Sequence, residues 1–196
     1  MHFTEPEAAR ACLESAAAYR DAIPIPKPHV RQVALEEPDA SVPAIRTALV
    51  AWERSRGRFS LNRENAFYRF NQRVLAFAQN RREDDLVYAH LGSQAALTRF
   101  KGRAWAEAVR GQACGQGVER DPYSDVLTGP YGEVLRTQMP RLDHVRVRIT
   151  RHTDTAEWVT YQRLLMPAED EAGRPVVLCM AARTPLVRNS YQAKTA

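Results

Sequence analysis

Residues 143–184, DHVRVRITRHTDTAEWVTYQRLLMPAEDEAGRPVVLCMAART, read as three antiparallel strands joined by two turns. Residues 143–150 alternate polar and apolar side chains, the period of two expected of a strand with one buried face. Thr153, Asp154 and Thr155 are turn formers. Residues 157–166 (EWVTYQRLLM) are rich in β-branched and aromatic side chains and carry apolar groups on both phases. The polar segment 167–174 ends at Pro175, and residues 176–182 (VVLCMAA) are apolar on both faces. The first strand therefore suits an edge. The third suits a central position, covered above and below, and needs a neighbour on its far side from earlier in the chain.

That neighbour is found in residues 73–78 (RVLAFA), also apolar on both faces and followed by the charged turn 80–85. A second strand, 86–91 (LVYAHL), ends at Gly92. Residues 93–140 are helical or irregular, with helices expected at 104–109 and 124–138 and a loop at 111–117. Upstream, Ile45, Ala48, Leu49 and Trp52 recur at helical spacing and Gly57 supplies the stop, so a helix is expected over 42–55. Residues 62–70 read as a short helix or tight loop, and 29–35 as a short strand or continued linker. Thr4, Pro6 and Glu7 mark a helix start, and the alanine-rich stripe from Ala9 to Ile23 defines a helix over 5–23. The prolines at 24, 26 and 28 follow as an extended linker.

The chain has 196 residues, enough for one domain and an extension, and 44% of them are hydrophobic. No run approaches the roughly 20 apolar residues of a membrane helix, and the acidic start has no signal-peptide pattern. A soluble cytoplasmic protein is the expectation. Net charge is +5, from 28 basic and 23 acidic residues, and the basic residues are dispersed. No Lys/Arg block marks a nucleic-acid arm, so nucleic acid is not an expected partner. Cys12, Cys114 and Cys179 have neither zinc nor disulfide spacing and read as reduced structural thiols.

Two strands, a helical stretch and three strands give an α+β layout: a five-stranded antiparallel sheet ordered 2-1-5-4-3 with helices on one face. This layout resembles the PAS domain, and residues 48–184 resemble the short stand-alone PAS proteins of alphaproteobacteria. The matching elements are Leu49, Trp52, Arg56 and Gly57 on the first helix, Tyr88, Gly92 and Ser93 in and after the second strand, and Tyr161, Arg163, Leu164, Leu165 and Pro167 near the end. Residues 60–66 and 97–102 depart from the family's pattern. The expected organisation is an N-terminal helix and linker (1–40), a PAS-like domain (41–186) and a tail (187–196).

No motif assembles catalytic machinery. The glycines of 111–117 lack the Lys-Ser/Thr of a phosphate loop. His2, His29, His90, His144 and His152 show no metal-ligand spacing; His144 and His152 read as solvated, and His90 shares the phase of Tyr88. No histidine lies in 93–143, where haem-binding PAS proteins usually carry their ligand. The surroundings of Cys114 do not match the flavin photoreceptor motif. The resemblance therefore implies a non-catalytic sensory or regulatory domain. It acts through ligand binding between sheet and helices and through protein contacts, with no cofactor identified. The candidate ligand-binding residues are Tyr88, His90, Trp105, Tyr131, Tyr161, Arg163 and Cys179. Arg163 sits among apolar residues of its own phase, so it either meets a carboxylate or meets an anionic ligand. The 5–23 helix is the expected contact for a homodimer or regulatory partner. The rival classes are a small enzyme, which needs Tyr88, His90 and Arg163 to converge, and a nucleic-acid binder, which needs one continuous basic face.

Overall fold

The computed structural model describes residues 28–35, 42–79, 86–114, 124–150, 153 and 155–184. The helix expected at 5–23, the turn at 80–85, Cys12, His2, His152 and the tail lie outside them.

One antiparallel sheet organises the fold. Its strands are β1 (His29–Val33), β2 (Val74–Gln79), β3 (Leu86–Leu91), β4 (Arg141–Thr150), β5 (Ala156–Glu169) and β6 (Pro175–Arg183), in the order β1-β4-β5-β6-β2-β3. The α-helices of the described residues are α1 (Pro43–Arg54), α2 (Ala96–Lys101), α3 (Arg103–Val109) and α4 (Ser124–Thr137). The two strands that are apolar on both faces lie side by side, with Val74 opposite Met180 and Phe77 opposite Val177. Each feeds two cores. Val74, Ala76, Val176, Leu178 and Met180 face one layer, while Leu75, Phe77, Val177 and Cys179 face the other.

Three expectations need correction. Among the described residues the sheet has six strands rather than five, and its order differs accordingly, because residues 29–33 add a strand outside β4. Residues 143–150 are thus interior, not an edge; the exposed edge residues are His29, Arg31 and Gln32 of β1. The helices also cover both faces rather than one. Ile45, Ala48 and Ala51 of α1 pack on one side with Phe59, Phe67 and Phe70, while Ala106 of α3 and Tyr131 and Val134 of α4 pack on the other.

His144, expected in solvent, is buried in a strand that gained a neighbour, with Arg31 opposite it. Its Nε2 lies 2.9 Å from Gln162 Nε2, and Gln162 Oε1 accepts the Val42 N–H at 2.9 Å. This ties the start of α1, which has no side-chain cap, to the middle of the sheet. The other end of α1 is tied as well. Trp52 Nε1 donates to the Pro167 carbonyl at 2.5 Å, and Gly57, at φ 70°, lies against the same carbonyl. The chain then runs beside β5, with Glu169 N–H donating to Gly57 O and Phe59 N–H to Glu169 O, both at 2.8 Å. The tryptophan-to-glycine segment and the Leu164-to-Pro167 segment are two halves of one contact.

Gly92, just after β3, shows the tightest constraint. A Cβ there would stand 2.5 Å from the carbonyl oxygens of both Asn71 and Gln72. These are backbone atoms and cannot rotate away. Gly92→Ala is expected to destabilise the fold by about 1–3 kcal/mol, read as a lower urea midpoint at unchanged slope. An unaltered midpoint would show that the turn holds no such approach.

Candidate functional site

Between the sheet and α2–α4 lies a cavity of about 280 Å³. Its floor is the sheet: Leu75 and Phe77 of β2, Tyr88 of β3, Val147 of β4, Tyr161 and Arg163 of β5, Cys179 and Ala181 of β6. Its roof is Leu97, Phe100 and Lys101 of α2, Trp105 of α3 and Tyr131 of α4. The aromatic side chains meet edge-on or tilted. Phe77 stands 4.7 Å from Tyr131 and 5.2 Å from Tyr88, and Tyr88 stands 5.8 Å from Trp105, centroid to centroid. Such a chain of offset rings holds its shape and presents apolar walls with a few hydroxyls.

Tyr88, Trp105, Tyr131, Tyr161, Arg163 and Cys179 all line this cavity; His90 does not. The cause is a bulge in β3. Phe77 pairs with Tyr88 and Ala76 with His90, leaving Ala89 as the extra residue. A bulge resets the alternation of faces, so Tyr88 and His90 part company although they are two residues apart. His90 instead lies edge-on to Phe59 at 5.4 Å, with Nε2 2.8 Å from Asn71 O, on the α1 side of the sheet. Tyr88, His90 and Arg163 therefore do not converge. Among the described residues, no group of three or more His, Cys, Asp and Glu is arranged to hold a metal ion.

Arg163 meets a carboxylate. It stands directly opposite Asp143 across the β4–β5 ladder, and its Nη2 and Nε donate to Asp143 Oδ2 at 2.7 and 3.2 Å. Arg141 Nε donates to the other oxygen at 2.7 Å and also pairs with Glu133 of α4. Asp143 is 0% and Arg163 2% exposed. The Arg163 guanidinium also lies 5.0 Å over the Tyr131 ring, and Tyr131 Oη donates to Cys179 Sγ at 3.3 Å. An ionic chain thus runs from the cavity floor to the surface of α4. Asp143 could have been found in the sequence, since it shares the phase of Val145, Val147 and Ile149. A lone acid on one apolar phase and a lone arginine on the next strand's are natural partners. Arg73, also part of the lining, shares the phase of Leu75 and Phe77 and was hidden as the first residue of a greasy segment.

Burial pushes the cavity phenols and thiol up. Tyr161 is raised from 10.0 to about 12, with Arg163 opposing the rise. Tyr88 and Tyr131 are raised as well, and Cys179 likewise stays a thiol. Burial lowers His90, with the Asn71 carbonyl opposing.

No protein-family model matches the chain, and no curated protein matches it. Two solved structures are similar at low level. One is an RNA-binding Light-Oxygen-Voltage receptor, at 16% identity and TM-score 0.43, over 86% of this chain and 42% of that one. The other is a fungal LOV domain photoreceptor, at 16% identity and TM-score 0.35, over 75% of this chain and 95% of that one. The chain spans less than half the length of the first. Likenesses this distant do not assign a function.

Two outcomes are expected. Asp143→Asn leaves the Arg163 charge buried without its counter-ion and should cost about 3–5 kcal/mol in denaturant unfolding, whereas replacing both residues with apolar ones of similar volume should cost much less. Equal losses would mean that the pair is not coupled. The second concerns alkali. Folded-state phenol pKa values above 10.0 mean that the unfolded chain releases these protons first. The Tyr161 contribution to stability is complete below pH 10 and is lost as pH rises through about 12, so the urea midpoint should fall over that window. A Tyr161→Phe variant should lose less stability there; an identical fall would assign the effect elsewhere.

Proposed function

We propose that this chain is a PAS-like sensory or regulatory domain that binds a small molecule in the cavity between the sheet and α2–α4, without performing chemistry on it. The observation that carries the reading is the cavity itself. It combines aromatic walls on a sheet floor with a few polar groups, among them Arg163 and the hydroxyls of Tyr88, Tyr131 and Tyr161. The ring-to-ring contacts and the ionic chain behind Arg163 keep that space preformed, and a preformed apolar pocket binds a small molecule without the entropic cost of ordering its walls. Tyr88, Trp105, Tyr131, Tyr161, Arg163 and Cys179 are the proposed ligand contacts. The response passes to a second copy or a protein partner through the helix expected over residues 5–23.

Native mass spectrometry of the purified chain tests this reading. A retained small molecule, lost on Ala181→Phe, is the expected result, because Ala181 is half-buried in the lining and a ring there fills the space. If mass spectra and a screen of small aromatic compounds give no bound species for the unaltered chain, the reading is wrong.

A further inference from the structure

We propose that the molecule taken up in this cavity is a small planar aromatic acid, with its ring among the aromatic walls and its carboxylate against Arg73 at the mouth. The inference rests on the ligand-binding reading above and narrows it. Among the described residues, the lining contains Arg73, Lys101, Arg148 and Arg163 and no aspartate or glutamate. Arg163 is neutralised from behind by Asp143, which leaves Arg73 and Arg148 as the exposed guanidiniums of the lining. The exposed Arg73 guanidinium forms no ion pair or hydrogen bond among the described residues. A low-dielectric wall carrying one sign of charge focuses the field on the opening and favours an anion there.

The ladder gives the spacing. Val74 is opposite Met180, so Arg73, the residue before it, falls level with Ala181, which is itself opposite Arg163. Two arginines therefore flank one alanine on the cavity face, two strand spacings, or about 10 Å, apart. The small alanine leaves the space between them open. A volume of about 280 Å³ lies at the lower limit of pockets for drug-sized ligands, about 300–1,000 Å³. One or two fused rings fit it, and the tilted Phe77–Tyr88 and edge-on Tyr88–Trp105 pairs offer faces and edges to a flat ring.

The test compares 2-naphthoate with its neutral counterpart 2-naphthamide by calorimetry, on the full chain and on Arg73→Gln, at low and high salt. Naphthoate should bind roughly five-fold more tightly than naphthamide at low salt, and the preference should shrink as salt screens the mouth. Arg73→Gln should lose roughly two- to five-fold of the naphthoate affinity, the range for an exposed ion pair, and leave naphthamide unchanged. Equal binding of the two compounds overturns the acid while leaving the cavity reading standing. A preference that survives in Arg73→Gln overturns the placement of the carboxylate. Binding of neither compound overturns the aromatic acid, while the cavity reading stands or falls with the mass spectra.

Discussion

The pairing of β2 with β6 is the constraint from which the architecture follows. Each strand carries apolar side chains on both faces, and neither can leave one face in water without exposing a row of Val, Leu, Phe or Met. Laid side by side, they form the middle of a sheet that must be covered twice. α1 and the phenylalanines of residues 59–70 cover one face, while α2–α4 cover the other. The two covers are built differently. The α1 side is closed by aliphatic and aromatic packing, by the Trp52 bond to Pro167 O and by the close approach at Gly57. The helical side leaves a cavity against the sheet, where Trp105 stands edge-on to Tyr88 and Tyr131 edge-on to Phe77.

The ionic chain of Arg163, Asp143, Arg141 and Glu133 belongs to the same logic. A buried ion pair is weak evidence of stability in itself, since desolvation offsets much of its Coulomb attraction. Its effect here is positional. It holds one guanidinium at the floor of the cavity under the Tyr131 ring and links β4 and β5 to α4. Among the described residues, Arg163 on the cavity floor is paired with Asp143, while the Arg73 guanidinium of the same lining meets no carboxylate.

The sheet edges are treated unequally. Beyond β3, the segment after α3 supplies further backbone bonds: Tyr88 N–H to Gln112 O, Gly111 N–H to Tyr88 O and Cys114 N–H to Leu86 O. The glycine-rich loop thus begins as a cover for an open strand edge. β1 forms the other edge and carries His29, Arg31 and Gln32 outward, polar residues that discourage further pairing.

Local pattern was sufficient for the elements whose burial is uniform. Residues 73–78 and 176–182 announce central strands because a segment greasy on both sides has nowhere else to go, and α1 is legible from Ile45, Ala48 and Trp52 because helical spacing is a property of the chain alone. The cavity lining was legible for the same reason where alternation held, as at Tyr161 and Arg163 on β5. What local pattern could not decide was set by contacts between distant segments. One extra residue at Ala89 turned His90 to the opposite face, a shift visible only once β3 has a partner to be out of register with. His29–Val33 became a strand because β4 offered an unfilled edge, and that same pairing carried His144 from expected solvent into the interior. The partner of Arg163 and the place of Arg73 at the cavity mouth were likewise fixed by register across the sheet, since which groups face each other over a few ångströms depends on strands that the chain brings together from far apart in its length.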